Sequence, residues 1–362
     1  MNPIFQNDIR YMKRCFSLAK KGQGKVSPNP LVGAVIVKNN QIIGEGWHKK
    51  YGQAHAEVNA FFDAKSDVAG STLYVNLEPC CHRLKNTPPC VPLIISKKIK
   101  RVVICNEDPN PQVAGKGIAQ LRSDGIEVDS GILNSEGHEL NRFYFKFIKS
   151  GMPYVILKIA QSMDGKIGIT NQEQKWLTGE KSKRFVHKMR ALCDGVLIGA
   201  NTVRVDNPQL SVREARGRNP VRIIIDGNLS IPVSSSLFKK SKQDKKIIFT
   251  SKGSEPAKSL QLKSEGIDLV ELEAKDKGEI DLYEVLEILG KRKIMSLIVE
   301  GGQSIFSQFI RDSLFDEIII LQAPVMLGNG ISPSLYAMKS RLIVKEITTL
   351  GEDVKIILRN KL

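Results

Sequence analysis

Hydrophobic and polar residues follow two different periods along the first 130 residues. From about residue 8 to 21, Ile9, Met12 and Phe16 recur at the spacing of one helix face. Residues 31–38 and 41–47 instead form strand-like runs, joined by an Asn-Asn pair that suits a tight hairpin turn. Further strands are predicted at 72–77, 101–105 and 126–128, and further helices at about 55–65, from 90 onward and at 114–123. This alternation favours one mostly parallel sheet covered on both faces by helices.

The same kind of pattern restarts at about residue 154. Strands are predicted at 155–160, 195–198, 221–225, 246–250, 267–270, 296–299 and 317–322, with helices such as 181–192 and 282–289 between several of them. Between the two series, Gly151 and Pro153 interrupt both periodicities. The sequence therefore predicts two α/β domains, residues 1–150 and 151–362.

The composition is that of an ordinary globular protein. Of the 362 residues, 41% are hydrophobic and 25% are charged, which excludes disordered, collagen-like and coiled-coil chains. The longest uncharged stretch, residues 318–338, contains two prolines and two glycines and is not a membrane segment. The N-terminus lacks the apolar core of a secretory signal. We expect a soluble, cytoplasmic protein that does not bind membranes.

The charge balance points to an anionic partner. The net charge of +16 suits nucleic acid, a phosphorylated metabolite or a dinucleotide. The lysines are nevertheless scattered, and their densest cluster, residues 239–246, lies in a polar stretch predicted to be a loop. Because a basic balance is only the first part of an argument for nucleic-acid binding, we interpret these charges as a solvated surface and predict no nucleic-acid partner.

Three of the six cysteines, Cys80, Cys81 and Cys90, fall within eleven residues. In a reducing compartment this spacing indicates metal binding or catalysis rather than disulfides. Upstream, His55-Ala56-Glu57 stands at a predicted helix start, and the prolines before Cys90 place it in a first helical turn, where the helix dipole favours a thiolate. One histidine and two cysteines supply three ligands, and a catalytic zinc keeps its fourth position for water. The zinc deaminase signature H-x-E…P-C-x-x-C matches, except that the second cysteine lies ten positions on instead of three.

Two other interpretations of these residues stay open on spacing alone. His55 could be a hydrogen-bonded core histidine, with Glu57 only complementing the helix dipole. Cys80 and Cys90 could close a structural zinc site together with Cys81 or His82. The carboxylate of Glu57 favours a catalytic zinc, because a four-ligand structural site has no use for it.

In the second half, the predicted strand at 296–299 runs into Glu300-Gly301-Gly302 and then into a helix from near Gln303. Two glycines allow the backbone to approach a ligand closely, and the N–H groups of a helix start can bind a pyrophosphate. Residues 197–202 have a similar arrangement. Neither segment is the dinucleotide fingerprint G-x-G-x-x-G, and ordinary turns explain the glycines equally well.

Short motifs distributed over nearly the whole chain carry a family resemblance. The first half contributes residues 27–34 (SPNPLVGA), 46–48, 55–58, 77–80, 87–90 (TPPC) and 107–117 (EDPNPQVAGKG). The second half contributes residues 157–158, 162–166 (SMDGK), 202–208 (TVRVDNP) and 299–302 (VEGG). Together they resemble the bifunctional pyrimidine deaminase–reductases of riboflavin biosynthesis, and their joint occurrence is very specific.

The resemblance implies a cytidine-deaminase-like α/β/α sandwich at 1–150 and a dihydrofolate-reductase-like α/β domain at 151–362. It implies that zinc is bound by His55, Cys80 and Cys90, that Glu57 is the catalytic proton carrier, and that Asn29 and His48 line the pyrimidine pocket. The implied first reaction is hydrolytic deamination of 2,5-diamino-6-(5-phosphoribosylamino)pyrimidin-4(3H)-one. The second is NADPH-dependent reduction of the ribosyl chain to 5-amino-6-(5-phosphoribitylamino)uracil. We also expect a homo-oligomer.

The resemblance also implies the residues of the reduction. Around NADPH it places Ala160, Trp176, Thr202, Asp206, Gly227, Gly302, Gln303, Ser304, Ile305, Phe306, Ser307 and Gln308. Around the phosphoribosyl substrate it places Lys158, Gln174, Arg190, Leu210, Arg213 and Glu300. Arginine suits a phosphate because its guanidinium binds in a bidentate fork, although without the family Arg190 and Arg213 would be interpreted as surface ion pairs and Trp176 as core. The candidate proton donors are Lys158, Asp206 and Glu300.

Two positions depart from the family pattern. Leu84-Lys85-Asn86 stand before Thr87, one residue more than the pattern has between its Gly-basic pair and the Thr-Pro-Pro-Cys motif, and Lys85 is expected to reach the substrate phosphate. Asn59 stands where the family often has a histidine.

Two rival functions are retained. The first is a nucleic-acid-editing deaminase whose basic second half binds RNA; against it, the second half lacks aromatic residues interleaved for base stacking. The second is a non-catalytic interaction module stabilised by zinc.

Overall fold

A computed structural model describes residues 3–81, 87–169, 177–238, 244–275, 279–338 and 341–360. The chain divides into two compact units, Met1–Gly151 and Met152–Leu362. None of the described helices combines the length and the apolar character needed to cross a membrane.

The first unit is built on a five-stranded sheet. Its described helices are α1 (Pro3–Ala19), α2 (Ala56–Asp63), α3 (Cys90–Ser96), α4 (Lys116–Ser123), α5 (Asn134–Leu140) and α6 (Arg142–Ser150), with a 3-10 turn at Lys20–Gly22. Its strands are β1 (Gly33–Lys38), β2 (Gln41–Trp47), β3 (Thr72–Leu77), β4 (Arg101–Asn106) and β5 (Glu127–Ser130), in the order β2-β1-β3-β4-β5.

The prediction of a mostly parallel sheet is wrong for this unit. Strand β1 runs antiparallel to both β2 and β3, whereas β3, β4 and β5 are mutually parallel. The cause is the predicted hairpin: Asn39 and Asn40 both adopt positive φ, 49° and 61°, and turn the chain back directly. A strand that pairs with its own hairpin partner on one edge and with β3 on the other leaves only half of the pairings parallel.

Helices cover both faces of this sheet. Tyr11, Met12 and Leu18 of α1 pack on one face, against Val35 and Val103 of the strands. On the other face the alternate strand residues, including Ile36 and Val75, pack against α2, α3 and α4. Because side chains of a strand point alternately to opposite faces, each strand contributes to both cores. The predicted α/β/α sandwich is confirmed.

The second unit is also α/β. Its described helices are α7 (Glu180–Leu192), α8 (Ala200–Asp206), α9 (Pro256–Ser264), α10 (Leu282–Lys291) and α11 (Gln303–Arg311). Its main strands are β6 (Tyr154–Gln161), β8 (Gly195–Gly199), β9 (Val221–Ile225), β10 (Lys246–Ser251), β11 (Asp268–Leu272), β12 (Ser296–Gly301), β13 (Glu317–Gln322), β15 (Ile343–Leu350) and β16 (Asp353–Arg359). Two short strands, β7 (Gly168–Ile169) and β14 (Gly330–Ile331), pair separately.

The nine main strands are ordered β11-β10-β9-β8-β12-β6-β13-β16-β15. All pairings from β11 to β13 are parallel, and the last two strands form an antiparallel hairpin at one edge. The hydrophobic pattern does not predict this hairpin, because nearly every side chain of β15 is exposed and burial imposes no alternation there. The parallel strands β6, β8 and β12 end at one edge of the sheet, where open α/β sheets bind their ligands.

Candidate active sites

Three elements of the first unit converge on one point. His55 stands immediately before α2, Cys80 follows the end of β3, and Cys90 is the first residue of α3. The Cys80 carbonyl accepts hydrogen bonds from the N–H groups of Cys90 and Val91, at 3.0 and 3.2 Å, so the strand exit satisfies the start of α3. The local sequence therefore brings the two cysteines together even though ten positions separate them.

The three side chains offer the donor atoms of a tetrahedral metal site. His55 Nδ1 lies 3.3 Å from Cys90 Sγ and 3.5 Å from Cys80 Sγ, and all three atoms lie within 4.8 Å of one another. Usual zinc–nitrogen and zinc–sulfur lengths at a tetrahedral angle place such atoms about 3.5 Å apart. His55 Nε2 is 3.0 Å from Thr87 Oγ1, which fixes the ring so that Nδ1 faces the sulfurs. The donor set fits zinc.

Cys81 is not part of this group. Its sulfur lies 3.9 Å from the Gln112 carbonyl oxygen, and the group of metal-ligating side chains among the described residues consists of His55, Cys80 and Cys90. The structural-site alternative therefore receives no support from Cys81, while its other candidate, His82, lies outside the described residues, as does Lys85.

Glu57 lies in the first turn of α2 and is buried beside the three ligand atoms. Burial raises the pKa of its carboxyl group, while the neighbouring His55 opposes that shift. A carboxyl group whose pKa moves toward neutrality can both accept and release a proton during a reaction. Its place beside the ligand group, but outside it, is the arrangement predicted for a proton carrier.

Asn29 and His48 also meet next to the metal group. Since the Ala54 carbonyl can only accept, His48 Nδ1 donates to it at 3.1 Å, and His48 Nε2 accepts from Asn29 Nδ2 at 3.1 Å. Burial lowers the pKa of His48, which favours this neutral form. The rings of His48 and His55 stand edge to face with centroids 5.7 Å apart. Asn59, at the family's frequent histidine position, donates to the Trp47 and Ala54 carbonyls and ties α2 to this segment.

Several supporting residues were not found by sequence reasoning. Asn141 binds Leu31 twice: its Oδ1 accepts from the Leu31 N–H at 2.8 Å and its Nδ2 donates to the Leu31 carbonyl at 2.9 Å. Asn76 donates to the same carbonyl at 2.9 Å and accepts from the Gly33 N–H at 2.7 Å. The two amides thus hold the segment that carries Asn29. Gly46 of β2 lets the backbone of α2 lie directly on the sheet.

The second unit contains a cavity of about 1240 Å³ at the ends of β6, β8, β9 and β12. Of the predicted cofactor residues, those on its wall are Ala160, Thr202, Asp206, Gly227, Gly302, Gln303, Ser304, Ile305, Phe306 and Gln308. Of the predicted substrate residues, those on its wall are Lys158, Arg190, Leu210, Arg213 and Glu300. Ser307 is not among the wall residues, and its hydroxyl accepts from the Leu335 N–H at 3.0 Å. Trp176 and Gln174 lie outside the described residues.

A cradle of small residues lies where α11 begins. Gly302 has φ 82°, and a Cβ atom there would stand 2.9 Å from Thr202 Oγ1. A Cβ on Gly301 would stand 2.9 Å from the same oxygen. The backbone can approach a ligand here because no side chain fills the space, and the first N–H groups of α11 suit a pyrophosphate. These residues fit a dinucleotide phosphate.

Glu300 lies at the centre of a buried charge group on the cavity wall. Arg190 binds it with both arms of its guanidinium, at 2.6 and 2.8 Å, and Lys158 Nζ lies 3.5 Å from it. Burial raises the pKa of Glu300, but the two cations outweigh burial and lower it to about 2. Glu300 is therefore ionised at neutral pH and holds no proton to donate. Without the family resemblance, Arg190 would be interpreted as a surface ion pair. That interpretation is wrong, because the ion pair between Arg190 and Glu300 is buried.

Asp206 has the opposite environment on the same wall. The surrounding protein raises the pKa of its carboxyl group, and Lys158 opposes that shift. Arg213 is exposed and donates through Nη1 to Gln209 Oε1 at 2.7 Å. The cavity thus combines a fixed carboxylate, a carboxyl group shifted toward neutrality and an accessible guanidinium.

Comparison with known proteins gives matches to both units. Residues 5–106 match the cytidine and deoxycytidylate deaminase zinc-binding region, and residues 153–356 match the RibD C-terminal domain. The riboflavin biosynthesis protein RibD of Bacillus amyloliquefaciens is 42% identical over 96% of this chain and 94% of that protein. The crystal form 1 structure of Acinetobacter baumannii RibD is 33% identical, with a TM-score of 0.89 over 99% of this chain and 100% of that chain. A deaminase/reductase structure from Thermotoga maritima is 35% identical, with a TM-score of 0.87 over 98% of this chain and 99% of that chain.

Proposed function

The chain belongs to the RibD family of riboflavin biosynthesis proteins, and we propose that its first unit (1–150) deaminates a pyrimidine whose side chain its second unit (151–362) reduces. It is a bifunctional enzyme, a hydrolytic deaminase and a reductase. Its cofactors are zinc, in the His/Cys/Cys site of the deaminase part, and NADPH in the reductase part. The observation that carries the deaminase assignment is the convergence of His55 Nδ1 and two cysteine sulfurs beside a buried carboxyl group.

In the first unit, zinc held by His55, Cys80 and Cys90 would activate water for attack on the amino-bearing ring carbon. Glu57 takes up a proton at its carboxylate and passes it to the departing amino group, for which its buried position beside the ligand group suits it. Asn29 and His48 hold the pyrimidine next to these groups through their polar edges. Lys85 remains our candidate for the substrate phosphate.

In the second unit, NADPH would supply a hydride to C1 of the ribosyl group, opening the sugar to a ribityl chain. Thr202, the Gly301-Gly302 pair and the start of α11 bind the phosphates of the cofactor, and Trp176, outside the described residues, remains a candidate cofactor residue. Arg213, Leu210 and Gln174 hold the phosphoribosyl substrate. Because Glu300 is ionised, the proton for the sugar oxygen comes from Lys158 or Asp206, and Glu300 orients Arg190 and Lys158.

The substrates are small molecules of riboflavin biosynthesis. We propose that they are the phosphoribosyl pyrimidines named above, that neither nucleic acid nor a membrane is a partner, and that the enzyme works in the cytoplasm as a homo-oligomer. The volume of the cavity in the second unit, about 1240 Å³, is of the order that small ligands occupy and supports a small-molecule substrate with its cofactor.

An assay with two separate signals tests this function. The diaminopyrimidine ribotide is supplied with and without NADPH, and ammonia release and NADPH absorbance are followed independently. We expect ammonia in both reactions and loss of NADPH absorbance only after ammonia has formed. NADPH consumption without ammonia would refute the assigned order. If the chain deaminated RNA but not the free ribotide, the nucleic-acid-editing deaminase would be the correct function. If a zinc-loaded chain gave neither ammonia release nor NADPH oxidation, the non-catalytic interaction module would be.

A further inference from the structure

His187 is a buried histidine that the proposed reactions do not use. It lies on α7, three positions before Arg190, and the two side chains therefore share one helix face. Its side chain has no exposed surface. His187 Nδ1 accepts a hydrogen bond from the backbone N–H of Arg213 at 3.1 Å. The contact joins the core of α7 to the segment that presents Arg213 to the cavity.

The hydrogen bond defines the protonation state of the ring. Because Nδ1 accepts, the single proton of the neutral imidazole is on Nε2. Nε2 is buried and has no hydrogen-bond partner among the described residues. Burial lowers the pKa of His187 and the Arg190 cation adds to that effect, so the ring stays neutral and Nδ1 stays an acceptor.

The segment before Arg213 is held from the same helix a second time. Arg190 Nη1 donates to the Ser211 carbonyl at 3.3 Å, while the rest of its guanidinium is committed to Glu300. Leu210 within the segment is buried at φ 52°, a conformation that a non-glycine residue keeps only where its surroundings impose it. Helix α7 therefore binds the Ser211 carbonyl through Arg190 and the Arg213 N–H through His187. From the second of these two hydrogen bonds, the Arg213 side chain extends into the cavity.

We propose that His187 is a positioning residue for recognition of the substrate phosphate: by holding the Arg213 backbone it fixes where the guanidinium meets the phosphoribosyl group. This inference rests on the proposed function, which places Arg213 at the substrate. His187 itself touches neither substrate nor cofactor. Its effect should therefore appear in the KM of the reductase substrate and not in the KM of NADPH.

Three single variants of the full chain and one double variant test the proposal. His187→Leu keeps an apolar side chain of similar size but loses the acceptor, so we expect the KM of the deaminated ribotide to rise about tenfold, with the NADPH KM within about twofold. His187→Asn places an amide oxygen where Nδ1 was. It loses Cε1 and Nε2, neither of which accepts the Arg213 N–H, so it should keep the KM near that of wild type. Arg213→Ala should raise the KM at least as much, and adding His187→Leu to it should have little further effect, since the guanidinium being positioned is gone.

The outcomes separate this inference from the function on which it rests. If Arg213→Ala raises the ribotide KM and His187→Leu does not, the positioning role is wrong and the proposed site stands. If Arg213→Ala leaves that KM unchanged, both are wrong. If His187→Leu unfolds the chain, His187→Asn decides: a KM near wild type supports the role, and a KM as high as that of Arg213→Ala overturns it. Fully additive effects of the two substitutions would also overturn it.

Discussion

Replacing Gly46 by alanine tests how the deaminase site is positioned. A Cβ atom on Gly46 would lie 2.3 Å from the Ala56 carbonyl oxygen, 2.3 Å from the Ala60 nitrogen and 2.7 Å from the Asn59 carbonyl carbon. All three are backbone atoms of α2, which cannot rotate away as side chains do. Ordinary contact distances require about 3.5 Å, so the helix and the strand must separate by about 1 Å. We expect a loss of about 1–3 kcal/mol of stability from this overpacking.

The displacement matters because Glu57 lies in the first turn of α2 and His55 immediately precedes this helix. Metal sites tolerate changes of only about 0.2 Å in ligand distance, so a shift of about 1 Å should lower zinc affinity at least tenfold. We would measure zinc per chain by elemental analysis and ammonia release by the purified full-length variant. Oxidation of NADPH with the deaminated ribotide is the internal reference, because the second compact unit carries the cavity.

A second alanine substitution provides the control. Gly179 has φ −74°, and a Cβ atom there would meet nothing nearer than Asp353 Oδ2 at 3.7 Å, an ordinary contact. Gly179→Ala should keep wild-type zinc content and deamination. If Gly46→Ala also kept full zinc content and a wild-type rate of ammonia release, close packing of α2 on β2 would not be what positions the ligands.

Three further substitutions have definite expected outcomes. Glu57→Gln should abolish ammonia release while zinc content and NADPH oxidation stay at wild-type levels, because Glu57 lies outside the ligand group; a zinc-free variant would contradict its role. Glu300→Gln removes a carboxylate whose pKa falls from 4.5 to about 2 on folding. In the wild-type chain this carboxylate stabilises the fold above about pH 4.5, by at most about 3 kcal/mol, and the stabilisation is lost as the pH falls toward 2. The difference in urea unfolding free energy between this variant and wild type should therefore narrow from pH 6 to pH 3, and a constant difference would refute the assignment. Gly302→Ala, strained at φ 82° and crowded against Thr202, should raise the NADPH KM about tenfold without changing deamination; an unchanged KM would exclude the cradle from the cofactor site.

The metal group could be predicted from the sequence because its information is local. His55 and Cys90 each stand at a helix start, and Cys80 stands at a strand exit, so each position follows from a short stretch of residues. The convergence of their donor atoms within 4.8 Å is the geometry that this pattern predicts. Likewise the Asn39-Asn40 turn encodes the first hairpin in two residues.

The support around the sites could not be predicted, because it depends on residues distant in the chain. Asn141 binds Leu31 across 110 positions, and Arg190 binds Glu300 across 110 positions. Neither pairing changes the periodic pattern of hydrophobic and polar residues in the sequence. From that pattern alone, an asparagine or arginine at such a position cannot be distinguished from a residue on the protein surface. Gly46 carried a signal only in its family motif, since the requirement for glycine comes from the backbone of α2 that packs on it.

Arg190 and Arg213 show that the role of a side chain at a site depends on the groups it contacts as well as on its residue type. Both carry a guanidinium suited to phosphate. Arg190 is buried on the cavity wall and forms two hydrogen bonds with Glu300, whereas the Arg213 side chain is exposed. The same division separates the two carboxyl groups: cations hold Glu300 ionised, whereas desolvation by the cavity wall raises the pKa of Asp206 above its ordinary value. Environments that push such pKa values apart assign different roles to identical groups. Because Glu300 is a fixed anion paired with Arg190 and Lys158, the reduction proposed above keeps Asp206 and Lys158 as its candidate proton donors and Arg213 as its candidate phosphate ligand.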